Sequence, residues 1–318
     1  MNSLNELKHE MLGAGLMVNQ LVAGKLTRCK TNDDKGGNKS GWYRMFDNSD
    51  LVTCVYGDWR TGIRHVWTNS DKPRTTEQRL NMNRLIERAK LEAVQGQQSL
   101  WAINRINLNA LWHSGSEVRE SNSAGKYLLN RGLQIPNSGV LKFHPNLNYW
   151  NGSEFIGEFP AMLAAVTSPT GELITVHRTF LTDDGHKAPV PTHKKLAPAT
   201  GLLRGASIKL GTPTNKIDGE LGLGIAEGIE TALAAYTLFD VPVWSTVSAS
   251  VLKSFAPPQA VKNIYIFADN DMSQVGQTAA QELGERLTRE GFTVRIFTPK
   301  LIGQDWADVL KLEGSTNA

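Results

Sequence analysis

From residue 221 onward, short apolar runs alternate with helix-patterned stretches, and this constrains the fold more than any other feature of the chain. Residues 221–227, 241–247, 263–268 and 293–297 read as strands. Between them, residues 229–239 form an alanine-rich helix, a short helix lies near 249–255, and 275–290 carries Ala279, Leu283 and Leu287 on one helical face. Strands separated by helices of this length predict a mainly parallel, doubly wound α/β sheet. Sheets of that kind take ligands at the carboxyl ends of their strands.

The acids fall at those ends. Glu227 closes the first run, and Asp269 closes the third and is followed by Asn270 and Asp271. Glu230 stands one helical turn after Glu227, where it suits either a metal shell or the positive start of its helix. Oxygen donors of this type fit Mg²⁺ or Mn²⁺, hard cations that keep waters and meet substrate phosphates. Without a cation, converging carboxylates repel and raise one another's pKa. An Asp-x-Asp by itself is common in turns and caps. The order strand–Glu–Gly–helix, strand, strand–Asp–Asn–Asp–helix is much more specific.

That order, in the wording Ile225-Ala226-Glu227-Gly228-Ile229-Glu230-Thr231-Ala232 and Phe267-Ala268-Asp269-Asn270-Asp271, resembles the glutamate and aspartate motifs of the TOPRIM domain. It is most similar to TOPRIM primases of the plasmid and phage type, relatives of the bacterial DnaG-type primase. Asp305-Trp306-Ala307-Asp308 resembles their closing acidic motif, with Ala307 where Asn is more usual. Upstream, the segments 177–181, 184–188 and 124–133 also resemble the family, and 42–43 and 56–62 do so more faintly. The resemblance implies catalytic roles for Glu227, Asp269 and Asp271, with Glu227 as general acid/base or metal ligand. It implies a metal group of Glu227, Asp269 and Asp271, supported by Glu230, Asp305 and Asp308.

Charge divides the chain. Residues 220–318 carry 7 Lys/Arg against 12 Asp/Glu, a net of −5, and the remainder carries a net of +8. A basic front suits polyanion binding. Arg131, Arg178, Lys187 and Lys126 are the candidates for nucleotide or template contact. Arg178 falls on the apolar side of a strand at 173–180, which turns His177 outward; Lys194 and Lys195 read as a solvated basic face. Six of the eight tryptophans lie in the first 150 residues, and Trp42 and the Asp58-Trp59-Arg60 turn are the ones suited to stacking on unpaired bases.

Residues 1–115 therefore read as an α+β accessory or template-binding region, strands first and then a helical stretch at 74–111 interrupted near Gly96. Residues 116–218 read as a basic, β-rich part beginning its strands near 152, with a polar boundary at 212–219, and 219–318 as the TOPRIM domain. Two cysteines, Cys29 and Cys54, are too few for a zinc ribbon, so no structural zinc is expected. The run Lys35-Gly36-Gly37-Asn38-Lys39-Ser40 lacks phosphate-loop spacing, so helicase activity would come from a separate protein. Neither a membrane span nor a signal peptide is legible, and a cytoplasmic location is expected. The function these readings predict is a DNA primase: a nucleotidyltransferase making short RNA primers from ribonucleoside triphosphates on single-stranded DNA in plasmid or phage replication. A TOPRIM phosphodiesterase or nuclease, and a non-catalytic single-strand-binding factor, are the alternatives.

Overall fold

The computed structural model describes residues 3–32, 34, 39–48, 51–59, 62–69, 75–217 and 219–316. Two compact units emerge: Met1–Ala102 with Trp150–Glu154, and Ile103–Tyr149 with Phe155–Ala318. Arg60 and 35–38 lie outside the described residues.

The first unit opens with helix α1 (Ser3–Gly13), in which Leu7 and Met11 are fully buried. Strands β1 (Leu16–Met17), β2 (Leu26–Thr31), β3 (Gly41–Asn48), β4 (Leu51–Asp58) and β5 (Arg64–Thr68) follow as one antiparallel sheet in chain order. The reading of strands and turns omits α1, although Leu4, Leu7 and Met11 recur at helical spacing. Helix α2 (Thr76–Ser114) opens on a reciprocal pair in which Thr75 Oγ1 accepts from the Gln78 N–H and Gln78 Oε1 accepts from the Thr75 N–H. It runs straight through Gly96, so the expected interruption is absent. Its Ala89 and Ala93 are small enough to pack against Trp42, Phe46 and Val55.

In the second unit, β6 (Ser116–Glu117), α3 (Ser123–Leu129), β7 (Leu141–Asn151), β8 (Glu154–Thr167), β9 (Leu173–Phe180) and β10 (Lys194–Leu196) come first. The strands form an antiparallel sheet ordered β10-β9-β8-β7-β6, so the β pattern starts two strands earlier than predicted, with β6 and β7. Next come β11 (Thr214–Ile217), β12 (Glu220–Ala226), α4 (Ile229–Phe239), β13 (Val243–Ser245), α5 (Ala249–Lys253), β14 (Val261–Phe267), α6 (Val275–Arg289), β15 (Thr293–Phe297) and α7 (Trp306–Thr316). The polar stretch read as a boundary contains β11, which pairs antiparallel with the start of β12. All other pairings of this sheet, β12 with β13, β12 with β14 and β14 with β15, are parallel, as predicted.

Alternation along β12 and β14 builds two cores. Leu223, Ile225, Ile264 and Ile266 pack with Leu252, Phe255, Ala279 and Leu283 of the α5–α6 side. Ala226, Tyr265 and Phe267 pack with Ala232, Leu233 and Trp306 of the α4–α7 side. That second core also takes in Tyr127, Leu128, Met162, Ala164 and Val166, so the antiparallel sheet and the parallel sheet share one interior. The opposite face of the antiparallel sheet is covered too, through Leu163, Val176 and Phe180 against Leu108 and Tyr149.

Candidate active site

In the parallel sheet, the strand that comes second in sequence, β13, and the third, β14, lie on opposite edges of the first, β12. The chain therefore reverses its direction of progress between β12 and β14, and a crevice opens beyond their carboxyl ends. Glu227 directly follows β12, and Asp269 stands two residues beyond the end of β14.

Asp269 is half-buried and accepts from Thr231 Oγ1 at 3.0 Å (Oδ1) and 3.3 Å (Oδ2). Burial pushes its carboxyl up to about 6 against the pull of Thr231, and the charges of Asp305, Glu227 and Asp271 add to the rise. Glu227 is raised as well, by burial first; the Ala249 N–H that it accepts pulls the other way, and Asp271 raises it further. Asp271 is exposed, and its Oδ1 accepts from Ser273 Oγ and the Gln274 N–H, both at 2.8 Å. A Cβ on Gly276 would stand 3.9 Å from Asp271 Oδ2 and 4.0 Å from Glu227 Oε2, which keeps those oxygens within about 8 Å of each other across open space. Beneath them the Trp306 indole donates to the Ala268 carbonyl at 3.1 Å, bracing the strand end from α7.

Asp305 and Asp308 cap one another: the Asp308 N–H donates to Asp305 Oδ1 at 2.9 Å, and the Asp305 N–H to Asp308 Oδ2 at 3.3 Å. Asp305 acts electrostatically on Asp269 and also on Lys187 and Tyr127, so it borders both an acidic and a basic group. Glu230 is not brought to the acids. It is 4% exposed, with Oε1 accepting from Tyr127 Oη at 2.6 Å and Oε2 pairing with Lys194 Nζ at 2.7 Å. Burial opposes its charge, yet the Lys194 ammonium and the two hydrogen bonds hold its carboxyl at about 2.

Lys194 is thus no solvated surface charge. Residues paired across strands share a face: Met162 lies opposite Thr179 and Ala164 opposite His177, and Thr179 in turn lies opposite Lys194. This face is the one that packs on the parallel sheet, so His177 points inward, 8% exposed, where burial and then Lys194 push its pKa down to about 4. Arg178 lies opposite Leu163 and Lys195, on the other face. Its Nη2 donates to the Leu196 carbonyl at 2.8 Å, away from the carboxylates. The expected outward orientation of His177 is wrong, whereas Arg178 does lie with Val176 and Phe180 on an apolar, covered face; both faces of β9 are covered, so alternation of polarity no longer marks an outside.

Around Lys194 stand His193, Arg131 and exposed Lys187. Burial, then Lys194 and Arg131, lower the Lys187 pKa, while Glu230 and Asp305 raise it; burial, then Lys187 and Lys194, lower His193. Arg131 lies over the Tyr127 ring at 5.6 Å, and its buried Nε has no protein partner. Lys126 is exposed and reaches the Asp183 carbonyl at 3.2 Å. Gly185 lets that turn approach: a Cβ there would fall 2.6 Å from the Tyr127 nitrogen, and its φ of +82° favours glycine. In the first unit Trp42 is 1% exposed and stacks on Trp59 at 5.9 Å, so it is a core residue and no base-stacking platform. Half-buried Trp59 also carries the Arg28 guanidinium at 4.6 Å. Cys29 and Cys54 are buried, and burial pushes both thiols up to about 12, as befits core residues.

Among the described residues, no three His, Cys, Asp or Glu side chains form a ready-made metal cage. The donor set nonetheless fits a hard divalent ion. Mg²⁺ needs only one or two carboxylates beside water and phosphate oxygens. Glu227, Asp269 and Asp271 repel one another across the space left by Gly276.

Residues 222–316 match the model of the Toprim domain, and 102–210 match a Domain of unknown function (DUF7146). No curated protein matches the chain. Among solved structures, a DNA primase domain from Pseudomonas aeruginosa is similar at 15% identity and a TM-score of 0.45, over 66% of this chain and 75% of that one. The zinc-binding and RNA polymerase domains of the Aquifex aeolicus primase align at 14% identity and a TM-score of 0.45, over 100% and 84%. The primase fragment of the bacteriophage T7 primase-helicase aligns at 15% identity and a TM-score of 0.36, over 64% and 72%. With the two strand-end acid motifs, the parallel sheet and the matched segment in agreement, the C-terminal part of this chain is a Toprim domain.

Proposed function

We propose that the protein is a DNA primase: a metal-dependent nucleotidyltransferase that builds short RNA primers from ribonucleoside triphosphates on single-stranded DNA. The observation that carries this reading is the contiguity of two charge groups. Glu227, Asp269 and Asp271 form an acidic group at the reversal of the sheet, and Arg131, Lys187, His193 and Lys194 form a basic one, with Asp305 in electrostatic reach of Asp269 and Lys187 alike. Nucleotidyl transfer needs that adjacency, because a triphosphate must be neutralised beside the atoms that exchange bonds.

Glu227, Asp269 and Asp271 would hold Mg²⁺ or Mn²⁺. Such ions, when bound, polarise the attacking and leaving oxygens. Lys187, Lys194 and Arg131 neutralise the triphosphate. As the primer 3′-oxygen bonds to the α-phosphorus, the bond to pyrophosphate breaks and the hydroxyl proton passes to a base. Glu227, whose proton affinity is raised by burial, suits that role. Asp308, engaged in capping Asp305, serves as an outer support. Lys126, at the exposed turn, and Arg178, through its strand, contribute to the template side. We assign the protein to plasmid or phage replication in the cytoplasm, beside a separate replicative helicase. No helix among the described residues is long and apolar enough to cross a membrane.

The test is incubation with single-stranded DNA, labelled ribonucleotides and Mg²⁺ or Mn²⁺. Short labelled RNA is expected. Shortened DNA would instead identify a nuclease, and a retarded but unchanged DNA a binding factor.

A further inference from the structure

Three non-glycine residues among those described have positive φ: Asp240, Val247 and Gln274. Asp240 caps the end of α4, an ordinary place for that conformation. The other two each donate a backbone N–H to a residue of the acidic group, Gln274 to Asp271 Oδ1 and Val247 to the Glu227 carbonyl at 2.9 Å. Valine is the anomaly, because a β-branched side chain collides with its own backbone at a φ of +62°. Such strain persists only where the surroundings over-determine it.

Those surroundings all converge on Glu227. Ser245 and Thr246 are fully buried, and Ser245 Oγ donates to the Glu227 carbonyl at 2.7 Å. The Thr246 N–H and hydroxyl both donate to the preceding carbonyl, that of Ala226, at 2.9 and 3.2 Å. Ser245 is itself fixed by two backbone bonds with Ile208, at 2.7 and 3.1 Å. Beyond Val247 the chain enters α5, whose first residue, Ala249, presents an N–H that lowers the Glu227 pKa. One turn therefore holds the main chain of this acid by hydrogen bonds and acts electrostatically on its side chain, and the strained residue is its pivot.

We propose that Ser245 and Val247 are positioning residues for Glu227: the hydroxyl fixes its carbonyl, and the left-handed valine aims the following N–H at its carboxylate. The inference rests on the reading of Glu227 as a member of a metal-holding group, and it assigns the β13–α5 turn the task of setting that acid's geometry.

Val247→Gly removes the collision and frees the pivot, and Ser245→Ala removes the clamp while keeping the fold. Each full-length variant is compared with wild type for thermal midpoint, for Mn²⁺ affinity by spin resonance of the free ion, and for primer synthesis resolved into kcat and KM. For Val247→Gly the midpoint should hold or rise while Mn²⁺ affinity falls about tenfold, the usual scale for residues that orient a ligand. Its kcat should fall with KM for ribonucleotides unchanged. Ser245→Ala should move affinity and kcat in the same direction by less. A purely structural turn would give the reverse pattern, a lowered midpoint with wild-type Mn²⁺ affinity, and either variant behaving so would overturn the proposal. If wild type makes no primers yet Val247→Gly weakens Mn²⁺ binding, the primase reading fails and the positioning role stands. If primers are made and Mn²⁺ binding is indifferent to both variants, the positioning role fails alone. A wild-type chain that takes up no Mn²⁺ would sink the metal group and this inference together.

Discussion

The acidic and basic groups of the second unit are neighbours in space but are built in different ways. The acids sit where a parallel sheet ends its strands, each at a fixed offset from an apolar run, so topology alone brings Glu227 and Asp269 to one crevice. The basic group is assembled from the chain just after α3 (Arg131), a turn (Lys187) and a short edge strand with the residue before it (Lys194 and His193), with no period relating them. A parallel α/β sheet exposes its chemistry as a pattern along the chain. An antiparallel sheet covered on both faces hides it, because a register shift of one residue decides which side chains meet the site.

The largest effect that sharpens this contrast is expected from Asp269→Asn. An isosteric amide keeps the Thr231 hydrogen bond but removes one of the charges proposed to hold a divalent ion. Primer synthesis should fall on the order of 10³-fold, several kcal/mol of lost transition-state stabilisation, with single-strand affinity unchanged. Stability gives a second readout with a definite sign. The Asp269 carboxyl titrates near 6 in the fold, above its unfolded range, so the folded state binds the extra proton. Metal-free wild type should therefore lose stability as pH rises from about 4 through about 6, the interval between unfolded and folded pKa values. Asp269→Asn should flatten that slope, as should added Mn²⁺. A steep slope persisting in the variant, measured by thermal midpoints across pH, would show that the repulsion lies elsewhere.

Lys187→Met tests the basic side. Removing one positive charge while keeping most of the aliphatic stem should raise KM for ribonucleotides about tenfold, ~1.4 kcal/mol, and leave kcat within a small factor. Should kcat fall instead with KM unchanged, the ammonium acts on the reacting atoms and the division of labour between the two groups is wrong.

Those two experiments also mark what was legible in the sequence. Glu227, Asp269 and the parallel sheet follow from strand–helix alternation, a local pattern. Tyr127 and Lys194 do not, because their importance arises only when α3 and β10 meet Glu230 across 103 and 36 residues of chain. Glu230 reads equally as a metal ligand or a helix-start acid until that meeting is seen. His177 reads as outward-facing and is buried instead, because β9 is covered on both sides, while Arg178 lies on the apolar face expected of it. The unbroken α2 and the strand β11 fail for a related reason: packing against Leu26 tolerates a helical Gly96, and pairing with β12 makes a strand of a polar segment.

Tyr127→Phe probes that hidden layer. The Tyr127 hydroxyl is the partner of Glu230 Oε1 in a site with almost no water access, so its loss should cost about 1–3 kcal/mol of stability. Glu230, held near 2, contributes stability that is complete above its unfolded pKa and is lost as pH falls toward 2. The variant should therefore lose less stability than wild type on going from neutral pH to acid. Parallel acid profiles in urea titrations would remove Tyr127 from the charge network.

The smallest effect belongs to the first unit, where Trp59→Ala separates packing from template contact. Its ring stacks on buried Trp42 at 5.9 Å and lies under Arg28 at 4.6 Å, so truncation removes an aromatic pair and a cation–π contact together. Each is worth about 0.5–1.5 kcal/mol, and the expected result is a modestly lowered thermal midpoint. If Trp59 serves the core alone, single-strand affinity should stay at the wild-type value at every salt concentration. If its exposed edge also receives a base, affinity should drop by about 1 kcal/mol or more at constant salt slope, because stacking adds no released counterion. A change in slope would point to Arg28, whose guanidinium the ring positions, and would extend the basic surface into the first unit.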